Sequence, residues 1–354
     1  MDLRWLRPAI RALRDEVLDF RFAYPLDLVS EAGPRESLHY YLYSERLKWT
    51  VMRLDDCGIP VARRRILGQY YRPGLCAWWG LVKLGHYLRN KDQPSLDAFL
   101  RQLCWLERNA MLQADGSVIW PNRFNCLEGG LVLRAPWVSA HDHGLAISAL
   151  VRGYRLTGSQ PLLELLHRAV GAFEKSTAEG GLRVPCEKGA LYAELPGALG
   201  PGILDGFMTS LLGLFDLFVQ TAHSRVLKLF SEGIEGLKYT LPQWDYRGRW
   251  SWYGSRAYLS PPSYHHIHRL QLQVLARLAQ EPSLAAYADR WDPARLSTLS
   301  RVGIYVAFLF TKNQNRIRHR TWHQNHERVM RESDAALTNS PDRTVAQGSY
   351  VSAN

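Results

Sequence analysis

The chain has 354 residues, a hydrophobic content of 46% and a formal net charge of +11. A chain of this length and composition can bury a large core in one or two domains, so the composition predicts a globular protein. Its longest apolar run, GIYVAFLF at residues 303–310, is far shorter than the about 18 residues that a membrane span needs. The composition therefore argues against a disordered chain, and no membrane span is predicted.

The positive charge is carried mainly by arginine, because the 44 basic residues comprise 8 lysines and 36 arginines. The planar guanidinium binds carboxylate and sulfate groups through paired hydrogen bonds, which favours a polyanionic partner. Neither a nucleic-acid-binding motif nor a lysine-rich run accompanies the charge, so nucleic acid is not the predicted partner. The alternative is an arginine-rich genome with a solvated surface.

The five cysteines are odd in number and scattered, at Cys57, Cys76, Cys104, Cys126 and Cys186. None forms a CxxC pair, which argues against a disulfide framework and a zinc knuckle. The first twenty residues place acids and arginines between apolar positions, which indicates an amphipathic helix and not a signal peptide. We therefore predict reduced thiols and a cytoplasmic location.

Residues 1–60 combine this helix with the stretch LHYYLYSERLKWTVMRLDDCGIPV, which is compatible with a short hairpin. Four later segments then share one pattern, an amphipathic helix, a short polar turn and a second amphipathic helix. Corresponding points in them lie 70, 62 and 61 residues apart, at Trp78, Ser148, Ser210 and Gln271. This repeat predicts a mainly α fold, with helical hairpins in a ring or arc.

Inserts of variable length follow the helical hairpins, at residues 115–144, at 180–202 and around 250–268. Each mixes β-branched and aromatic residues with Gly and Pro, which predicts short strands and loops over the mouth of the helical ring. Loops on a rigid scaffold are where catalytic groups usually lie. Residues 311–354 turn basic and then polar, which predicts an accessory segment and a disordered tail.

The third insert, WSWYGSRAYLSPPSYHHIH, concentrates three tyrosines, three histidines and two tryptophans around one arginine. Buried phenols and imidazoles each need a hydrogen-bond partner, so the stretch suits a wet cleft better than a plain core. The alternative is an aromatic patch that packs on the helices.

Five blocks occur in one order along residues 58–291. They are GIPV with QYYRPGLCAWWGL, PWVSAHDHGLAISALVRGYRLTG, LYAELPGALGPGILDGFMTSLLGLFDL, EGIEGLKYTLPQWD, and WYGSR with YHHIHRLQL, ending near YADRW. Together they resemble the C-terminal catalytic domain of the D-glucuronyl C5-epimerase family, which acts on heparosan-type chains. The resemblance implies an α/α toroid over residues 61–310, an incomplete barrel of about four hairpins. The β-rich domain of vertebrate-like members is expected to be reduced or absent.

Three catalytic positions are implied by the resemblance, because Tyr253 and Arg256 in WYGSR and Tyr264 in SYHHIH match family residues that contribute to catalysis. A third family tyrosine lies in a YEEYP block, which here reads YAELP. Leu195 occupies the position of that tyrosine, whereas the rest of the block matches at Tyr192, Glu194 and Pro196. This departure puts the family's two-face mechanism in doubt.

The implied reaction removes the proton at C5 of a uronate and returns one to the opposite face. Its intermediate carries extra negative charge, so we assign Arg256 to stabilise it, with His265 or His268 as further donors. Tyr253 and Tyr264 are the predicted acid and base, in an unassigned order, with nearby cations expected to lower their pKa. The predicted substrate-binding residues are Glu194, Tyr192, His265, His268, His143 and Trp137.

Other interpretations stay open at this stage. Proton removal followed by loss of the C4 substituent would make the protein a polysaccharide lyase, and a site without the third tyrosine would suit a non-catalytic polysaccharide-binding member. His141, Asp142 and His143 could ligate a metal, but a hydrogen-bond cluster at a helix start is favoured, and no cofactor or metal is predicted. The predicted partner is an anionic uronate polysaccharide, with a homodimer as a candidate assembly.

Overall fold

The structure is a computed structural model of the 354-residue chain. It describes residues 26–29, 37–43, 53–64, 67–128, 130–198, 202–254 and 258–331, together with residues 10, 14, 17, 20, 33, 35 and 200. The predicted disordered tail at residues 332–354 lies outside the described residues.

Ten α-helices lie between residue 73 and residue 331 of the described chain. They are α1 (Pro73–Asn90), α2 (Gln93–Asn109), α3 (Ala140–Thr157), α4 (Gln160–Ala169), α5 (Gly171–Glu174), α6 (Leu204–Thr221), α7 (Ser224–Thr240), α8 (Pro262–Ala279), α9 (Pro282–Arg290) and α10 (Thr298–Arg331).

Short antiparallel strands fill the connections in the described part of the chain. Two-stranded sheets are formed by β1 (Asp27–Leu28) with β2 (Leu42–Tyr43), β6 (Met111–Leu112) with β7 (Val118–Ile119), β8 (Pro121–Asn122) with β11 (Trp137–Val138), β9 (Cys126–Glu128) with β10 (Leu131–Leu133), and β12 (Arg183–Pro185) with β13 (Ala190–Tyr192). Three-stranded sheets are formed by β3 (Arg53–Leu54), β4 (Pro60–Arg64) and β5 (Gly68–Tyr70), and by β14 (Asp245–Tyr246), β15 (Trp250–Tyr253) and β16 (Tyr258–Leu259).

The four predicted helical hairpins are present. The first helices of the hairpins, α1, α3, α6 and α8, pack against one another in that order, and each is backed by its hairpin partner, α2, α4, α7 or α9. The mainly helical class is therefore confirmed, and the hairpins form an arc with an inner and an outer layer. The repeat points Trp78, Ser148, Ser210 and Gln271 all lie on the inner helices.

Each inner helix ends at a residue in the left-handed conformation. These residues are Lys91, Gly158, Ala222 and Gln280, with φ of 56°, 67°, 52° and 54°. The backbone N–H of each donates to a carbonyl in the last helical turn, which satisfies a group that the helix leaves unpaired. The turn between the two helices of a hairpin can therefore be very short.

The tightest helix contact lies between α3 and α6 at the centre of the arc. A Cβ atom added to Gly144 would lie 2.6 Å from the Cα atom of Ser210, and one added to Gly213 would lie 2.7 Å from the Cα atom of Gly144. Only glycine permits this approach, because any side chain would force the two helices apart.

A buried ion pair joins the same two helices at a deeper level. Arg152 Nη1 lies 2.5 Å from Asp216 Oδ2, and both side chains are fully buried. The other guanidinium nitrogens donate to the carbonyls of Leu38 and His39, at 3.1 and 3.2 Å, and Tyr41 donates to Asp216 at 2.5 Å. The segment before the first hairpin is thereby fastened to the helical arc.

Helix α10 packs on the arc through a separate small core formed by Trp250, Leu259, Ile304 and Phe308. It runs unbroken across position 311, where a boundary was predicted. Within the described residues, no helix has the combination of length and apolarity needed to cross a membrane.

Candidate active site

A cavity of about 270 Å³ opens at the amino-terminal ends of the four inner helices. The first turns of these helices contribute polar lining, through Arg72, which precedes α1, and through His141, Asp205 and Tyr264. The three inserts close the cavity from above with Trp137, Glu194, Leu195 and Tyr253 among others. The inserts therefore place their polar side chains over the ends of the helices.

Four helix starts and one guanidinium bring positive charge to the cavity, beside the carboxylates of Glu194 and Asp205. Each helix carries a partial positive charge at its amino terminus, where backbone N–H groups lack intrahelical partners. Arg72 adds a full charge, and 32% of its side chain is exposed. Such an arrangement favours an anionic ligand, as helix starts do elsewhere.

Arg72 is held by two carboxylates. Its Nε donates to both oxygens of Asp142, at 3.0 and 3.1 Å, and its Nη2 lies 3.4 Å from Glu194 Oε1. Asn122 donates to Asp142 at 2.8 Å, and His141 lies 3.0 Å from the same carboxylate. Burial opposes the charge of Asp142, yet Arg72 and His141 hold its pKa below the usual range. Asp142 therefore fixes Arg72 at the cavity wall.

A glycine makes room for this carboxylate. A Cβ atom on Gly74 would lie 2.1 Å from Asp142 Oδ1, so the first turn of α1 can approach Asp142 only without a side chain there. The RPG sequence at residues 72–74 thus supplies the cation, the helix start and the space in three consecutive residues.

Glu194 combines a buried carboxylate with an unsatisfied oxygen. Its Oε2 is buried and has no hydrogen-bond partner, and its side chain is 12% exposed. A Cβ atom on Gly206 would lie 2.0 Å from this oxygen, so the carboxylate rests directly on the first turn of α6. Burial raises the pKa of Glu194 to about 7, with the nearby charge of Asp205 adding to the rise against the effect of His141. The group can therefore gain and lose a proton near neutral pH.

Tyr253 and Tyr264 face the same cavity. Their ring centroids are 4.9 Å apart in an edge-on arrangement. Burial raises the pKa of both phenols, and the carboxylates of Asp205 and Glu194 raise it further. The pKa shift is opposite to the lowering by cations that we expected from sequence, because carboxylates outnumber cations among the described neighbours. Both phenols are therefore protonated near neutral pH.

Arg256, to which the sequence analysis assigned the charge-stabilising role, lies outside the described residues, in the connection from β15 to β16. Its assignment stays a prediction. Arg72, which is among the described residues, lines the cavity and supplies a guanidinium there.

The structure places the predicted histidines and Tyr192 in the core and not in the cavity wall. His143 contacts the carbonyl of Ala169 at 2.9 Å, and the hydroxyl of Tyr192 donates to the carbonyl of Leu229 at 2.7 Å. These side chains are buried and hydrogen-bonded within the fold, which leaves no face for a polysaccharide.

His265 and His268 form a second buried group behind the cavity. Both Nδ1 atoms lie 2.9 Å from Ser251 Oγ, and His265 Nε2 contacts the carbonyl of Trp291 at 2.9 Å. His268 Nε2 lies 3.5 Å from Asp205 Oδ1, so it reaches the cavity only through that carboxylate. This placement makes them supports of β15 and Asp205, in contrast to the predicted contact with substrate.

Sequence reasoning did not single out Arg72 or Asp205, and it considered His141 and Asp142 only as a metal or capping cluster. Asp142 is not part of a metal-binding cluster among the described residues, which contain no group of three or more His, Cys, Asp or Glu side chains placed to hold a metal ion. The available signal was position, because each of these polar residues stands at the start of an apolar helix.

A family model and a curated protein similar to the chain point to one family. The family model for the D-glucuronyl C5-epimerase C-terminus matches residues 114–293. The D-glucuronyl C5-epimerase of Caenorhabditis elegans is 29% identical over 221 residues, which are 57% of this chain and 35% of that protein. An uncharacterized protein of Methanocaldococcus jannaschii is 26% identical over 219 residues, 58% of this chain and 70% of that protein. The match thus spans about a third of the nematode enzyme's length.

Solved structures similar to the chain include a D-mannose isomerase, with a TM-score of 0.42 and 12% identity over 80% of this chain and 68% of that one. A GH76 α-mannanase of Bacteroides thetaiotaomicron has a TM-score of 0.42 and 11% identity over 76% and 72%. The family match covers the second to fourth hairpins and all three inserts that line the cavity. The chain belongs to the family defined by the carboxyl-terminal domain of D-glucuronyl C5-epimerase.

Proposed function

We propose that this protein is an isomerase that converts D-glucuronate to L-iduronate residues within a polysaccharide, on an incomplete α/α toroid formed by the four hairpins. One observation carries the proposal. A carboxylate with a pKa of about 7 and an unbonded oxygen, Glu194, faces the same cavity as two protonated phenols and an arginine. These are the groups that proton exchange next to a carboxylate requires.

The uronate carboxylate is the part of the substrate that Arg72 and the helix starts would bind. The guanidinium and the N–H groups at the helix starts supply the positive charge. The same charge would stabilise the intermediate, in which electrons from the C5–H bond move onto the carboxylate. Arg256, if it reaches the cavity, would add to this stabilisation.

In the proposed reaction, the carboxylate of Glu194, whose side chain lines the cavity, accepts the C5 proton, and a phenol donates a proton to the opposite face of C5. Tyr264 and Tyr253 suit the donor role, because their raised pKa keeps them protonated. The donor phenolate then regains a proton from solvent and Glu194 releases one, so protons balance over a turnover. This revises the expected pair of tyrosines into a carboxylate and a phenol.

Leu195 supports a second candidate function. It lines the cavity at the position of a family tyrosine, so the cavity has an apolar side chain where a phenol is expected. With Glu194 as base and a phenol placed to protonate the C4 oxygen, the same site would eliminate the C4 substituent and act as a lyase.

The test is incubation with heparosan and related uronate polymers in D2O, with deuterium at C5 read by NMR. We expect the wild type to incorporate deuterium and Glu194→Gln and Tyr264→Phe to lose it. Tyr287→Phe, which removes a phenol from α9 outside the cavity lining, serves as the matched control and should behave as wild type.

The products separate the candidate functions. Iduronate signals would support the epimerase, and an unsaturated product that absorbs in the ultraviolet would support the lyase. Binding of every polymer without incorporation would contradict both, and would identify a protein that holds a uronate chain without converting it.

A further inference from the structure

Helix α10 carries apolar side chains on two opposite faces. Ile304 and Phe308 point inward and pack with Trp250 and Leu259, so this face is satisfied by the protein itself. The helix has 34 residues, which correspond to a length of about 50 Å. A helix that is apolar on two opposite faces usually packs against a partner on each face. The arc covers the inward face of α10.

The second face is an exposed apolar stripe, which we call the outer stripe. Its members are separated by three, four, four and seven residues, as expected for one face of a helix. They are Leu299, Val302, Val306, Phe310 and Ile317, with 86%, 56%, 58%, 67% and 75% of their surface exposed. Single exposed apolar residues are common, but four successive ones from Leu299 to Phe310, with Ile317 two turns further along the same face, mark an interaction surface.

Basic groups bracket the outer stripe at both ends. Near the start of α10, Arg249, Arg290 and Arg295 line a surface groove of about 590 Å³ together with Ser297 and Ser300. Beyond Ile317, the exposed residues Arg318 and Arg328 continue along the helix. The sequence of residues 298–331 contains seven arginine or lysine residues and a single acidic residue.

This distribution of charge selects the partner. An antiparallel second copy would bring the arginine-lined groove of one chain against the basic end of α10 in the other, which disfavours association. A polysaccharide would leave the apolar stripe in contact with water. An anionic lipid surface satisfies both features, because the stripe enters the boundary between headgroups and acyl chains while the arginines contact lipid phosphates.

We propose that the outer stripe of α10 binds the protein to the surface of an anionic lipid bilayer, with the helix lying in the plane of the interface. The same helix contacts the hairpin that carries Tyr253. The backbone N–H of Leu259 donates to Thr311 Oγ1 at 3.1 Å, and Lys312 Nζ lies 3.8 Å from the ring centroid of Tyr258. Binding would therefore hold the cavity close to the membrane surface.

The test is flotation of the full chain with vesicles of phosphatidylcholine, alone or containing a quarter of phosphatidylglycerol. We expect binding to the anionic vesicles, weakened by salt, and little binding to the neutral ones. The double variant Val306→Asp with Phe310→Asp should lower the bound fraction about tenfold or more. Leu112→Asp is the matched control, because Leu112 is 59% exposed on a strand far from α10 in sequence, and it should bind as wild type.

Circular dichroism and thermal unfolding show whether each variant is folded. If the double variant is unfolded, the milder Val306→Ser replaces it and should give a bound fraction between those of wild type and the neutral-vesicle control. Failure of the folded wild type to bind anionic vesicles would overturn the proposal, as would equal binding by wild type and the folded variants. A wild-type dimer that Val306→Ser dissociates, without vesicle binding, would show that a second copy covers the stripe. None of these readouts involves a uronate, so they are independent of the proposed reaction.

Discussion

Helix α3 contributes to two Arg–Asp pairs that differ in their surroundings. Arg152 pairs with Asp216 in the core, where both side chains are fully buried and the other hydrogen bonds of the guanidinium go to the backbone carbonyls of Leu38, His39 and Ser148. Asp142, at the start of the same helix, pairs with Arg72, whose side chain is 32% exposed and faces the cavity.

The difference shows how one pair of residue types can serve structure or ligand binding. The core pair cannot bind a ligand, because the guanidinium of Arg152 is buried and its nitrogens donate to groups within the fold. At the cavity, the carboxylate orients the guanidinium while leaving part of it accessible to an anion. Solvent access, and not the identity of the pair, separates the two roles.

The largest expected effect comes from breaking the core pair. Asp216→Ala leaves the Arg152 guanidinium buried without its carboxylate, so we expect the free energy of unfolding to fall by about 3–5 kcal/mol. Urea denaturation followed by circular dichroism measures the change. Glu235→Ala, which removes an exposed partner of Lys238, is the control and should alter stability little. A similar small effect of both substitutions would contradict the assigned role of the core pair.

At the cavity pair, Asp142→Asn should affect function more than stability. The substitution keeps the shape of the side chain but removes the charge that orients Arg72, whose partial exposure limits the cost. We expect a loss of about 1–3 kcal/mol in the free energy of unfolding and a loss of C5 deuterium exchange of about tenfold or more. If exchange persisted while stability fell as far as in Asp216→Ala, the two pairs would not differ in role.

Filling the space beside Glu194 should have a comparable effect on stability. In Gly206→Ala, the new methyl group would lie 2.0 Å from Glu194 Oε2 and must displace the carboxylate. We expect a destabilisation of roughly 1–3 kcal/mol together with reduced exchange at C5. Gly303→Ala on α10 is the matched control, since no atom lies within 4 Å of its added methyl group, and it should stabilise the helix by up to about 1 kcal/mol. Unchanged exchange in Gly206→Ala would argue against a role for this oxygen.

A further expected effect is the pH dependence of stability that Glu194 confers. Its pKa is about 7 in the folded protein and about 4.3 in an unfolded chain. Between these values the folded state binds more protons, so this group lowers stability as pH rises from about 4 to 7. Glu194→Gln should remove that contribution, and urea midpoints of both proteins at pH 5 and pH 7.5 measure it. Relative to the variant, the wild type should be more stable at pH 5 than at pH 7.5. The same difference in urea midpoint between wild type and variant at both pH values would contradict the raised pKa.

The helical hairpins follow from the local pattern of the sequence. Apolar residues recur at helical spacing within each hairpin, and the turn residues interrupt that pattern, so local periodicity was enough to predict four helix pairs and inserts with short strands. The pairing of Tyr253 with Tyr264, which lie eleven residues apart in the chain, was implied by the family resemblance and not by periodicity.

Which polar groups share the cavity depends on how distant segments pack together. Arg72, His141 and Asp205 are separated by up to 133 residues in the chain, and they meet because their helices start at the same end of the arc. Tertiary packing also raises the pKa of Glu194 and places His143 in the core, where its ring contacts the carbonyl of Ala169. Neither property can be read from the local sequence, because both depend on what surrounds the side chain. Periodicity reports which residues face a core, whereas the chemistry of a site depends on contacts between distant segments.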